Sequence, residues 1–397
     1  MQNIVIAKPY VFVPPHRGQI WPRLFAKTLP GYLRRKHGLS EVKSRGRERL
    51  AASIAAGHSI MLVPNHCRPC DPLVLARAVQ QPTFIMASWH LFMQSWWQRF
   101  LLPRIGVFSI YREGLDREAL KCAIQLLTEA RRPLVVFPEG VISRHNDRLN
   151  HLMDGPGLML RNAAKQRHPA GGKVVVHPVA IRYFFHGDLE QTTRPVLAEI
   201  EKRLAWQTQD SLPLVERILK AGGGLLSLKE VEYFGRAQPG TLAERINRLV
   251  NQMLGPLEDE WLKGRHETDV VARVKLLRAA ILPELVVGEL SEAEKERRWR
   301  QLEIVYLAQQ IGFYPAGYIT DTNPSRERLL EIVEKLEEDL TDTCRIHAPM
   351  SAVVEIGEAI EVSPERQRST EGDPLILMIR ERLEAMLAAL LQEGRPK

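Results

Sequence analysis

At 397 residues the chain is long enough for one large domain or two ordinary ones. With 45% hydrophobic and 26% charged residues it is composed as a globular protein rather than a disordered one, and no apolar run reaches the roughly 18 residues that a membrane-spanning helix needs. Four unevenly spaced cysteines are too few for a disulfide framework, and Lys8, Pro9 and Pro14 cut short the apolar start of a secretory signal, so a cytoplasmic protein is expected.

The net charge of +8 gathers at the N-terminus, where residues 1–50 hold eleven Lys or Arg against Glu41 and Glu48, a balance of +9. Trp21, Phe25, Leu29, Tyr32 and Leu33 are interleaved with these charges. Such a segment fits an anionic membrane surface, at about 1 kcal/mol per basic residue near the headgroups. A nucleic-acid arm or a merely solvated face has the same composition.

In chain order, residues 31–57 are expected to form a helix with basic and apolar faces, and 59–64 (S-I-M-L-V-P) a buried strand followed by a helix over 72–79. Trp89, Phe92, Met93, Trp96, Trp97, Phe100 and Leu101 fall at helical spacing, one continuous stripe that suits a core, a membrane interface or an acyl-chain groove. Strand-like runs at 107–111, 134–137 and 174–181 alternate with helical patterns, which implies an α/β layer structure with a mostly parallel sheet flanked by helices. From 205 to 342 the pattern is helical, with loops expected at 222–224, 238–240 and 322–324. A strand pattern over 351–362 and an amphipathic helix over 375–391 follow. The expected organisation is a basic amphipathic region (1–54), an α/β core (55–204), a helical insertion (205–342) and a C-terminal strand and helix (343–397) completing the core.

Polar clusters sit at or near the ends of the apolar runs: Asn65-His66 with Asp71, Gly106 with Arg112, Glu139-Gly140, and His177-Pro178. In an open parallel sheet, groups just past the carboxyl ends of strands gather along one edge, where such folds bind ligands. His66 and Asp71, five residues apart, would point about 140° apart on one helix, so they meet only if His66 lies in the turn and Asp71 opens the helix. Asp71-Pro72 suits that position, Asp as a cap and Pro as a first helical residue. Asp71 would then hold one ring nitrogen of His66 and leave the other as a base, unless it is only a cap and His66 a loop residue.

The four blocks N-H-x4-D (65–71), G-x-x-x-I-x-R (106–112), F-P-E-G (137–140) and V-x-P-V-A-I around Pro178 resemble, in order and spacing, those of the glycerolipid acyltransferase family of the lysophosphatidic acid acyltransferase type. The resemblance covers 55–185, and the terminal V-x-E-I-G-E-A-I-E-V strand is similar to the end of that family's domain. It implies a glycerolipid-acyltransferase-like α/β fold and one-step transfer of a fatty acyl group from an acyl thioester, coenzyme A or acyl carrier protein, to a lipid hydroxyl. It further implies His66 as general base oriented by Asp71, with Arg112, Glu139 and Gly140 holding glycerol and phosphate and Pro178 shaping the wall. No cofactor is implied beyond the thioester co-substrate. The expected partners are a lysophospholipid or related acceptor and an anionic membrane surface, not nucleic acid, with the protein peripheral on the inner face of a membrane.

One departure bears on the acceptor. The family's third block usually continues Thr-Arg-Ser, whereas this chain reads Val141-Ile142-Ser143, so Arg144 or Arg148 would have to replace the missing arginine. His145 and Asp147 read as loop residues. Two rival functions remain at the level of sequence. Cys67 and Cys70 at a helix start resemble a thiol–disulfide site or half a zinc site, although Cys122 and Cys344 supply no second pair. A non-enzymatic lipid-binding module would need no His66 at all.

Overall fold

The computed structural model describes residues 8–265, 267–314, 317–320, 324–343, 345–365 and 372–393, apart from the side chain of Val287. Cys344 and the expected loop residues 322–323 lie outside that set. The chain divides into two compact units. One, an α/β unit, comprises Val11–Tyr111, Leu115–Gly187 and the described part of Ile346–Lys397; the other, helical, comprises Arg112–Gly114, Asp188–Arg345 and the described residues before Val11.

Among the described residues the α/β unit is built on one sheet of eight strands: β1 (Leu39–Arg45), β2 (Ser59–Pro64), β3 (Phe84–Ser88), β4 (Val107–Ile110), β5 (Leu134–Val135), β6 (Val174–Phe185), β7 (Met350–Ile356) and β8 (Ile360–Glu361). Their order is β1-β7-β6-β2-β5-β3-β4, with β8 added to β6. All pairings are parallel except those of β6 with β7 and β8. β2 is buried at every position and β6 at all but one of its twelve, as expected of central strands covered on both faces. The covering helices are α1 (Ile20–His37), α2 (Arg47–Ala55), α3 (Asp71–Val79), α4 (His90–Met93), α5 (Trp96–Arg104), α6 (Arg117–Glu129) and α7 (Gly155–Arg167). Apolar faces of α6 and α7 and of the last helix of the chain close over Met61, Val63, Leu134 and Val176 to form the main core.

The helical unit consists of α8 (Leu189–Arg203), α9 (Leu214–Phe234), α10 (Leu242–Leu262), α11 (Val270–Val287), α12 (Glu292–Gly312) and α13 (Arg326–Thr341); α14 (Pro374–Glu393) then returns to the α/β unit. A core of its own joins Val196, Leu197, Ile218, Leu329, Val333 and Leu336. Buried ion pairs tie its helices: Arg217 holds Glu201 (2.7 Å), Arg245 holds Glu230 (2.7 Å) and Arg273 holds Glu258 (2.7 Å).

Three local expectations need correction. The segment 31–57 is not one helix. Gly38, at φ +66°, gives its N–H to the Leu33 carbonyl and ends α1, and Leu39–Arg45 then pairs with β7, some 310 residues away, a partner no local pattern contains. The aromatic stripe is likewise two helices, because Ser95 is extended and its hydroxyl accepts the Gln98 N–H to start α5. Trp89 and Phe92 are buried, whereas Trp96 and Trp97 are 69% and 58% exposed. Finally, Gly222–Gly224 is no loop but lies inside α9, at about 1 kcal/mol per glycine in helix propensity. At Gly224 the reason is steric: a Cβ there would stand 2.3 Å from the Trp206 ring.

Candidate active site

His66 lies in the turn that leaves β2 and Asp71 is the first residue of α3. Asn65 begins that turn with its side chain acting as a substitute strand. Its amide donates to the Ile181 carbonyl (3.0 Å) and its oxygen accepts the Ile181 N–H (2.7 Å), which prolongs the β2–β6 pairing past Pro64. His66 is thereby fixed at the carboxyl end of a central strand, the edge where the sheet topology predicts a ligand.

The His66 Nδ1 and Asp71 Oδ2 are 2.9 Å apart. Asp71 is fully buried while the His66 side chain keeps 15% of its surface exposed. The Nδ1–H donates to the carboxylate and leaves the Nε2 lone pair as the basic position. Asp71 does not cap α3, contrary to expectation: Cys70 occupies the cap position, and the carboxylate turns back toward the preceding loop. There it accepts the Arg68 N–H (2.9 Å) and, on its other oxygen, the Tyr183 hydroxyl (2.5 Å). Burial and the adjacent carboxylate hold the Tyr183 phenol protonated well beyond its ordinary range, so it acts as donor.

Glu139 follows β5 and β2's neighbouring turn receives it. One oxygen accepts the His66 N–H (2.7 Å) and the other the Asn150 N–H (3.1 Å), so this carboxyl braces the loop that carries His66. Burial pushes it up to about 8, against the pull of these two N–H groups and of Arg380. Gly140 has φ +69°, a left-handed conformation that favours glycine after Glu139. The ring of Phe137 lies against His66 with centroids 4.3 Å apart. The Ser143 N–H donates to the His66 carbonyl (2.7 Å) and binds the third block to the first.

The structure thus joins His66, Asp71 and Glu139 directly, with Gly140 beside them. Pro178 is buried in β6 opposite Val63, and its carbonyl accepts the Gly357 N–H at the gap between β7 and β8. That gap is where a strand residue without an N–H is tolerated. His177 is a structural residue: its Nδ1 donates to the Gly357 carbonyl (2.8 Å), its Nε2 accepts the Ser53 hydroxyl (3.0 Å), and burial lowers its pKa. Arg112 groups with the helical unit, beside Glu113, which is paired with Arg278. Burial and then the Arg278 charge lower its guanidinium to about 10, which leaves it a cation at neutral pH. Arg144 is half-buried at φ +62°, and Arg148 is exposed.

Tyr183 and Asn146 were not foreseen as site residues. Asn146 repeats the device of Asn65 two residues further along β6, exchanging hydrogen bonds of 2.7 Å with the Tyr183 N–H and carbonyl. His145 and Asp147 are not open loop residues either: His145 is buried, and Asp147 lies 3.5 Å from the fully buried Arg182. The available signal was the charged and aromatic pair Arg182-Tyr183 inside an apolar strand run. Cys67 and Cys70 are buried thiols, and burial, with Asp71 next to it, pushes the Cys70 thiol up to about 11. A redox-active thiol at a helix start is shifted the other way.

Comparison with known proteins finds similarity over part of the chain. Residues 41–182 match the model of the Acyltransferase family. A 1-acyl-sn-glycerol-3-phosphate acyltransferase of Streptococcus pneumoniae is 35% identical over 107 residues, which are 26% of this chain and 37% of that relative. The chain therefore matches little more than a third of the relative's length. No solved structure matches.

Proposed function

We propose that the protein is an O-acyltransferase that moves a fatty acyl group from an acyl thioester to the hydroxyl of a glycerolipid such as 1-acylglycerol 3-phosphate. The observation that carries the reading is the 2.9 Å contact between the partly exposed His66 and the fully buried Asp71, at the edge of the sheet. Nε2 of His66 takes the acceptor's hydroxyl proton as the oxygen attacks the thioester carbonyl. The carbon–sulfur bond breaks, and the leaving thiolate of coenzyme A or carrier protein receives that proton. Asp71 fixes the ring and stabilises the transient imidazolium. Arg144 is assigned to the acceptor's phosphate, Glu139 and Gly140 to the loop against which the glycerol lies, and Pro178 to the wall behind it.

No helix among the described residues is long and apolar enough to cross a membrane. The proposed route to a lipid substrate is peripheral, on the inner face of an anionic membrane. Trp21 of α1 meets Phe100 of α5 edge to face (5.9 Å), and Ile20, Leu24, Trp96 and Trp97 are exposed on the same two helices. Arg34, Arg35 and Lys36 lie in the last turn of α1. Aromatic anchors and basic residues together favour reversible attachment.

The deciding measurement is steady-state transfer with His66→Ala. Loss of general-base catalysis should lower kcat by about 10²–10⁴ with little change in KM. More than about a tenth of the wild-type kcat remaining would sink the assignment.

A further inference from the structure

The helical unit contains a cavity of about 780 Å³ that takes no part in the chemistry described above. Its walls come from α9, α10, α12 and α13, and Ile218, Leu226, Ile246, Leu307 and Leu336 give them an apolar character. That volume is in the range of sites that hold a whole small ligand. Gly222 and Gly223 also line it, in mid-helix, where glycine is the most costly residue short of proline. Neither is required by crowding: a Cβ on Gly222 would meet only Leu336 at 3.8 Å, and one on Gly223 only Leu242 at 3.8 Å. These two glycines keep open a space that side chains could fill.

We infer that this cavity binds one long acyl chain bearing an anionic head, at a site separate from His66. The apolar walls suit the chain. Six charged residues stand on the lining; Arg245 is neutralised by Glu230 (2.7 Å), Lys229 by Glu232 (2.8 Å) and Asp339 by Lys335 (2.9 Å), and the other two besides Lys220 are the acids Glu338 and Asp342. Lys220, an exposed residue of the lining, instead donates to the neutral Gln209 side chain (2.5 Å), so its charge is available to a carboxylate or phosphate. The inference rests on the cavity, not on the proposed transfer reaction, and holds whether or not His66 is catalytic.

The test is photolabelling of the full chain with a diazirine analogue of hexadecanoate, the labelled peptides being mapped by mass spectrometry. Labelled peptides from α9 and α12 are expected, with competition by unlabelled hexadecanoate but not by octanoate. Competition by hexadecanoyl-coenzyme A or by 1-hexadecanoylglycerol 3-phosphate would identify the thioester or the lysolipid as the source of the chain. Gly223→Leu fills the cavity and should lower labelling of these helices at least about tenfold, the loss expected for two displaced methylenes. Gly222→Leu serves as the second variant, and both are checked by thermal melting. Labelling confined to 59–71 and its neighbours, or labelling of α9 and α12 undiminished in the folded variants, would overturn the inference.

Discussion

Tyr183 belongs to none of the short blocks, yet its hydroxyl makes the shortest contact to Asp71 described here, 2.5 Å. Hydrogen bonds to a charged group contribute about 1.5–3 kcal/mol. Tyr183→Phe should therefore loosen the carboxylate that orients His66, lowering kcat roughly tenfold while KM stays unchanged. An unaltered kcat would show that the Arg68 N–H suffices to hold Asp71. Glu139 gives a prediction with the opposite sign from most carboxylates. Its folded-state value of about 8 lies above the ordinary 4.5, so the folded state holds a proton that the unfolded chain releases between those limits. Stability is thus greatest below the lower limit and declines as pH rises toward 8, by up to about 1.4 kcal/mol per unit from this group. Glu139→Gln should flatten the decline. Thermal melts of the two proteins from pH 5 to pH 8 compare them directly; parallel curves would mean that Glu139 is ionised throughout.

At the scale of elements, α9 offers a paired contrast. Gly222→Ala adds a methyl with room around it and a better helix former, and should raise stability by about 1 kcal/mol. Gly224→Ala puts the same methyl 2.3 Å from the Trp206 ring, and should lower stability by about 1–3 kcal/mol, as overpacking does. Denaturant midpoints of the two variants check both signs. The helices α4 and α5 show why periodicity misleads over a short range. The spacing of the aromatic residues is helical from Trp89 to Leu101, but an N-capping serine at position 95 breaks the axis and sends the two halves to different environments.

For the whole molecule, the charge of residues 1–50 and the exposed tryptophans on α5 predict binding to anionic vesicles that weakens with salt. The electrostatic part should be lost as the screening length contracts to about 3 Å at 1 M. Replacing Arg34, Arg35 and Lys36 with Gln should weaken co-sedimentation without changing turnover on a detergent-dispersed acceptor. Replacing Trp96 and Trp97 with Ser should weaken the remaining, salt-resistant part. Equal binding of neutral and anionic vesicles at all salt concentrations would exclude the electrostatic contribution.

By itself the sequence determined the α/β class, the strands β2, β4 and β6, and the position of His66, Asp71 and Glu139-Gly140 just past the apolar runs. Each of these depends on neighbours close in the chain: an apolar run that must be buried, and a polar group at its end. The tertiary structure alone decided that Leu39–Arg45 is a strand, since its partner β7 lies some 310 residues further on. It also decided that Asp71 faces His66 and Tyr183 instead of capping α3, because Tyr183 reaches it from 112 residues away. Gly222–Gly224 reads as a loop until Trp206 and the walls of the cavity surround it. Propensity is local and weak, and long-range packing overrides it wherever a distant chain segment supplies the partner.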